Sequence, residues 1–186
     1  MARPIAVPDA EVVSRISDYL AQRKWPATSW SLAEVAPAAG LSPAGLVKRF
    51  GSRGGLLRAL GEHWIGSIPS EPTTEQPLTE LRAFARATFA APSAHAAMAG
   101  IGDLIADLAH GPSAALLAEG FAQQRSYVAA LIRALELPRV GDPDAAARIL
   151  LDALHGGLVR QASGAQLHDA QPSPDETIDY LLELWT

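Results

Sequence analysis

The chain has 186 residues, 48% of them hydrophobic, with no cysteine and a net charge of −5. That is enough apolar material for one or two domains with real cores, and it rules out disulfides and thiolate metal sites. Apolar runs are short and broken by charges, so no membrane-spanning helix is expected. The opening residues, MARPIAVPDAEVV, hold one arginine and no long apolar stretch, so no secretory signal is expected and a cytoplasmic protein is the default.

The net charge by itself argues against nucleic acid, but its distribution does not. Residues 1–66 carry eight Lys/Arg and five Asp/Glu, whereas the remainder carries seven and fifteen. A basic head on an acidic body suits a protein whose head meets phosphate.

In chain order, residues 1–9 read as an arm with two prolines, in which Arg3 is the one candidate for a minor-groove contact; a frayed terminus is the plainer reading. A helix is expected from Asp9 to Arg23, with Val12, Val13, Ile16, Tyr19 and Leu20 on its apolar face. Trp25 is expected to close a small core from the following loop.

The stretch from Ser31 to Phe50, SLAEVAPAAGLSPAGLVKRF, reads as helix, tight turn, helix. Ser31 and Glu34 have capping-box spacing, and Leu32, Val35, Ala36 and Ala39 share a face. Gly40 can adopt the left-handed conformation that ends a helix. Ser42 caps a second helix, with Pro43 at the first position, where no backbone donor is needed. Leu46 and Phe50 point inward, leaving Lys48 and Arg49 on another side. Two short helices at a fixed angle, the second basic, have the geometry of a DNA-binding helix-turn-helix.

A fourth helix is expected after Gly51-Ser52-Arg53, with Leu56, Leu57, Leu60 and Trp64 at helical spacing. Residues 67–77, SIPSEPTTEQP, read as a linker. Beyond it, residues 78–186 are Ala- and Leu-rich and helical throughout, with breaks at Pro92-Ser93 and Gly111-Pro112-Ser113 and capped starts at Asp142-Pro143 and Ser173-Pro174. No strand-like alternation and no repeat occurs in the sequence. The expectation is therefore an all-α protein: a helix-turn-helix head with its linking helix over 1–66, a linker, and a helical body.

The helix-turn-helix and its flanks, VVSRISDYLAQRKWPATSW upstream and GSRGGLLRAL downstream, resemble the N-terminal domain of TetR-family transcriptional regulators over about the first third of the chain. Ser31, Val35, Ala36, Ala39, Gly40, Ser42, Leu46 and Phe50 fit that pattern. The resemblance implies a regulator, most often a repressor, binding a near-palindromic double-stranded operator as a homodimer, with a small, mostly apolar ligand in the body; no enzymatic activity and no cofactor are expected.

DNA contacts are expected from Lys48, Arg49 and Arg53 to phosphate. Ser31 and Ser42 are expected to add phosphate contacts at the helix starts. Sequence reading falls to Pro43, Ala44, Gly45 and Val47, with Trp30 beside them. Gly45 and Val47 stand where the family has a polar residue and a tyrosine. None of the four reading positions has a side-chain donor, so direct readout is expected to be weak and reliance on DNA shape greater. Pro37, Lys24 and Gly54-Gly55 are further departures; Pro37 should bend or shorten its helix.

Trp64, Phe84, Phe89, Met98, Phe121 and Tyr127 are the pocket candidates, although the same residues could be ordinary core. The resemblance also implies that the last two helices pair with their copies in a second subunit. Both are apolar on more than one side, and Leu151, Leu154, His155, Leu158, Leu181 and Trp185 are the candidate interface; burial within one chain is the alternative. Asp103, Asp107 and His110 share a helical face and suit a divalent cation, a reading outweighed by that of a solvated polar face. No nucleophile elbow, phosphate loop or H-E-x-x-H occurs in the sequence. A helical ligand-binding or adaptor protein with a degenerate helix-turn-helix is the competing class.

Overall fold

The computed structural model describes residues 7–22, 30–109, 111–164 and 173–186, the side chain of residue 107 excepted. Among the described residues there is no strand. In chain order the helices are α1 (Asp9–Ala21), α2 (Leu32–Val35) with a 3-10 continuation (Ala36–Ala39), α3 (Pro43–Phe50), α4 (Arg53–Ser67), α5 (Pro77–Phe89), α6 (Ala94–Leu108), α7 (Gly111–Ala134), α8 (Pro143–Ala162) and α9 (Pro174–Trp185). Elements follow the sequence expectation closely, except that Gly111 and Pro112 open α7 instead of preceding it. Trp25 and Arg3 lie outside the described residues.

The head is built around Val12, Ile16, Val35, Leu46 and Leu56, all fully buried. Its local geometry follows from side chains that substitute for missing helical hydrogen bonds. The Ser31 Oγ accepts from the Glu34 amide at 3.2 Å, and the Ser42 Oγ from the Gly45 amide at 3.1 Å. Pro37 has no amide to donate, and the α-helix gives way to a 3-10 turn that holds it. The turn closes at Gly40, with φ +67°, while the Leu41 amide reaches back to the Ala36 carbonyl at 3.0 Å.

Gly54-Gly55 has a different role from the weak helix start its composition suggests. Ser52 caps α4 through the Gly55 amide at 3.1 Å. A Cβ on Gly55 would lie 1.9 Å from the Phe50 carbonyl oxygen. The missing side chain therefore lets α3 and α4 meet backbone to backbone.

The body's core gathers Leu81, Ala85 and Phe89 of α5, Tyr127, Val128, Ala129, Leu131 and Ile132 of α7, Ala147, Leu150 and Leu154 of α8, and Ile178 of α9. Arg82–Asp179 and Arg86–Asp175 ion pairs tie α5 to α9. The Arg139 amide donates to the Trp185 carbonyl at 3.0 Å, holding the end of α9 against the α7–α8 loop. The two cores meet along α4: Leu56 lies in the head's core, while Trp64 packs against the body's. Gly61 and Gly120 let α4 and α7 approach closely. A Cβ on Gly61 would sit 2.9 Å from Leu116, and one on Gly120 would sit 1.9 Å from the Trp64 ring.

Candidate nucleic-acid interface and body cavity

The inner face of α3 is anchored by Leu46, which is fully buried, so its outer face is set by helix geometry. Pro43, Ala44, Val47 and Lys48 are exposed on that outer face, and Gly45 is half-buried. Lys48 makes no hydrogen bond or ion pair with the described residues. Ser31 and Ser42 are exposed; each spends an oxygen lone pair on its cap and keeps a hydroxyl proton to donate. The described part of the helix-turn-helix therefore presents a small apolar edge, one unengaged ammonium and two hydroxyls.

Three of the expected DNA residues have other duties. Arg49 turns inward, donating to the Val7 carbonyl at 2.6 Å and to the Asp9 carboxylate at 3.1 Å. It ties the last turn of α3 to the start of α1 instead of standing free for phosphate. Trp30 is buried in the head's core, so its ring supports the fold and does not face a groove. The Arg53 guanidinium lies over that ring, 4.6 Å from its centroid, and its Nε donates to the Trp30 carbonyl at 3.1 Å. Arg53 nonetheless remains exposed, so its outer N–H groups stay accessible.

In the body, five of the six expected pocket residues join one chain of edge-to-face rings. Trp64 meets Phe121 at 6.3 Å, and Phe121 meets His155 at 5.6 Å. His155 meets Phe89 at 4.8 Å, and Phe84 bridges Phe89 at 6.4 Å to Tyr127 at 5.5 Å. Met98 is the exception: it is 53% exposed on α6. His155, expected at a subunit interface, is half-buried and joins the ring chain. Its Nδ1 lies 2.8 Å from the Leu151 carbonyl, which can only accept, so Nδ1 carries the proton and Nε2 is the acceptor in the neutral ring.

A cavity of about 420 Å³ opens beside this chain, between α6, α7 and α8. Phe121 and Arg125 line it from α7, Arg148, Leu151 and His155 from α8, and Leu104 from α6. Gln124 also lines it, although the residue is only 3% exposed, and its Oε1 is buried with no hydrogen-bond partner. The sequence reading missed Gln124, Arg125 and Arg148. Residues 118, 121, 122 and 125, and 148, 151, 152 and 155, each follow the spacing of one helical face, which is the signal that could have paired them.

Glu80 was missed as well. It accepts from the amides and hydroxyls of both Thr73 and Thr74, the closest at 2.8 Å, and from the Tyr127 hydroxyl at 2.5 Å. Burial pushes its carboxyl up, but the hydrogen bonds from Tyr127, Thr73 and Thr74 outweigh burial and hold it at about 2. Burial and the adjacent carboxylate push the Tyr127 hydroxyl up. A stretch that reads as a plain linker is thus pinned to the start of α5.

On the last two helices, Leu151 and Leu154 lie in the body's own core at 7% and 4% exposure, which removes them from any surface. Leu181 and Trp185 are half-buried against the same core, and Leu158 is half-buried beside Phe89 in a second cavity. The apolar residues that α8 and α9 leave outside are Ile149, Val159, Tyr180 and Leu184, each half-exposed or more. Of the Asp103–Asp107–His110 trio, the side chains of the last two lie outside the described residues. Among the described residues no group of three His, Asp or Glu could hold a metal, and no helix is long and apolar enough to cross a membrane.

The arrangement is a helix-turn-helix head joined through one shared helix to an all-helical body with a cavity open at its surface. Solved structures narrow the fold further. A protein from a Rhodococcus species assigned to the TetR family of transcriptional regulators superposes with a TM-score of 0.61 over 94% of each chain, at 19% identity. A TetR transcriptional regulator from Agrobacterium tumefaciens gives 0.53 over 97% of this chain and 95% of that one, at 20% identity. A Mesorhizobium loti protein assigned to the same family gives 0.55 over 95% and 94%, at 18% identity. The all-α fold is therefore that of TetR-family regulators, head and body together. No family model matches the chain, and no curated protein sequence matches it.

Proposed function

We propose that this protein is a DNA-binding transcriptional regulator that acts as a homodimer on a near-palindromic operator and releases it on binding a small molecule. The observation that carries the reading is the construction of the head. Caps at Ser31, Ser42 and Ser52 and the left-handed Gly40 fix α3, whose outer face stays free and carries Lys48. Such a helix enters the major groove, and its partner in a dimer reads the next half-site one turn away. Apolar contact from Pro43, Ala44 and Val47 to thymine methyls, with DNA shape, supplies the selection. Lys48, the exposed edge of Arg53 and the two serine hydroxyls position the head on phosphate.

Selection from sheared genomic DNA on the purified protein tests this directly. A few near-palindromic sites are expected; uniform recovery would mean that the head binds without selecting, and no recovery would favour the adaptor class. Lys48→Ala should weaken binding to every sequence alike and lower the salt slope by about one per protomer. An unchanged slope would refute the docking.

Pairing of α8 and α9 with their copies accounts for the apolar face at Ile149, Val159, Tyr180 and Leu184. Val159→Glu should give monomers in sedimentation; a persistent dimer would overturn that interface. Coupling of body to head runs through α4. The Trp64 ring touches Phe121 at the cavity, and the same helix places Leu56 in the head's core. A ligand that binds one position of Trp64 better than another shifts the population of head orientations by that difference in affinity.

A further inference from the structure

The cavity between α6, α7 and α8 is polarised along its length. Helices α7 and α8 are joined by a short loop and pack side by side, so they run antiparallel. Phe121 faces His155 at 5.6 Å, which fixes their register. One turn further along α7 stands Arg125, and two turns back along α8 stands Arg148, so both guanidiniums fall at the same end. The other end is aromatic, lined by Phe121 and His155.

The charges at the basic end are uncommitted. Neither Arg125 nor Arg148 makes an ion pair with the described residues, although Asp152 stands one turn from Arg148 on the same face. Of the charged side chains that line the cavity, two are guanidiniums and one, Asp152, is a carboxylate. Beside Arg125 lies the Gln124 amide, 3% exposed, its Oε1 buried without a partner. A buried amide left unpaired is costly, and a ligand atom is the usual means of satisfying it where the group lines a cavity.

We propose that this cavity binds a small organic acid with a flat, aromatic body. Its carboxylate lies between Arg125 and Arg148, its ring against Phe121, His155 and Leu104, and a hydroxyl or N–H beside the carboxylate donates to Gln124 Oε1. Guanidinium and carboxylate match in a fork of two parallel hydrogen bonds, which a neutral amide cannot reproduce. The volume of about 420 Å³ suits a molecule of one or two rings. This deepens the ligand-responsive reading above and rests on it for its regulatory meaning, but not for the binding itself.

The test is calorimetric titration of the purified full chain, without DNA, against mandelate, 3-phenyllactate and 3-hydroxy-2-naphthoate, each of which carries a hydroxyl beside its carboxylate, and each paired with its neutral primary amide. At least one acid should bind about tenfold or more tightly than its amide, the ratio expected for a charge-assisted pair. Arg125→Gln and Arg148→Gln, both at exposed positions, should remove that ratio while leaving the amide's affinity unchanged. Gln124→Leu should raise the melting temperature of the free protein and shrink the rise that the acid gives the wild type, a pair of opposite effects that a packing role alone does not produce. Equal affinity for acid and amide, an undiminished ratio in both arginine variants, or no binding of any of the three acids at millimolar concentration would overturn the proposal. Acid binding by a protein that recovers no operator would leave this site standing and remove the regulatory reading; operator recovery without acid binding would do the reverse.

Discussion

Replacing Gly120 by alanine tests the packing that joins the two halves of the molecule. The added Cβ would lie 1.9 Å from Cζ3, 2.2 Å from Cη2 and 2.9 Å from Cε3 of the Trp64 indole. An ordinary carbon–carbon contact is about 3.5 Å, so ring and α7 backbone must separate by roughly 1.6 Å. Phe121 meets Trp64 edge-on at 6.3 Å on one side, and a cavity of about 260 Å³ borders the ring on another. Overpacking of this kind costs about 1–3 kcal/mol. Alanine returns about 1 kcal/mol of helix propensity, leaving a net loss of about 0–2 kcal/mol. Gly100→Ala on α6 is the internal control, since its Cβ would meet nothing within 4 Å. That variant should gain up to about 1 kcal/mol. Urea unfolding of the two variants beside the parent measures the difference, expected at about 1–3 kcal/mol between them. If the two substitutions have equal effects, α4 and α7 are not locked at Trp64, and the coupling route through that ring fails with it.

Two further substitutions probe single contacts. Gly55→Ala sets a Cβ against the Phe50 carbonyl oxygen, a backbone atom that cannot rotate aside; a loss of more than about 2 kcal/mol is expected, with the head becoming sensitive to limited proteolysis, and native-like resistance would refute the close approach of α3 to α4. Glu80→Gln addresses pH. The folded carboxyl is held at about 2 against an ordinary 4.5, so its contribution is complete above 4.5 and is lost as pH falls toward 2. The glutamine variant should be less stable than the parent near neutrality and should lack the part of the acid-range slope that Glu80 provides; parallel stability–pH curves would sink that assignment.

The head was legible in the sequence because its determinants are local. Ser31, Gly40, Ser42 and Pro43 act on amides within a few residues, and Pro37 shortened its helix for a reason internal to proline. Arg49 was not legible in the same way. Its partners, Val7 and Asp9, lie about forty residues upstream, and basic spacing on a helix does not reveal which cation folds inward. Trp30 shows the same limit, since a tryptophan next to a cap reads equally as surface or core.

In the body, helix boundaries followed from breakers and caps, but the faces of α8 and α9 did not. A helix apolar on two sides has no sequence mark for the side its own chain covers, and the structure gives Leu151 and Leu154 to the core and Ile149 and Val159 to the outside. The aromatic residues were legible as a group, whereas Gln124 was not: its significance is that it is buried, and burial of a polar residue is decided by its neighbours.

The sharing of α4 bears on how such a protein can be recombined. A head cannot be exchanged at the loop that follows Ser67, because α4 carries Leu56 for one core and Trp64 for the other. Any chimaera that imports a foreign head must keep two matched notches, Gly61 with Leu116 and Gly120 with Trp64, or change both members of each together. A foreign helix-turn-helix is therefore most readily grafted upstream of α4, within the stretch from Ser31 to Phe50, where the caps are self-contained and the body is not consulted, provided that Arg49 keeps its partners Val7 and Asp9.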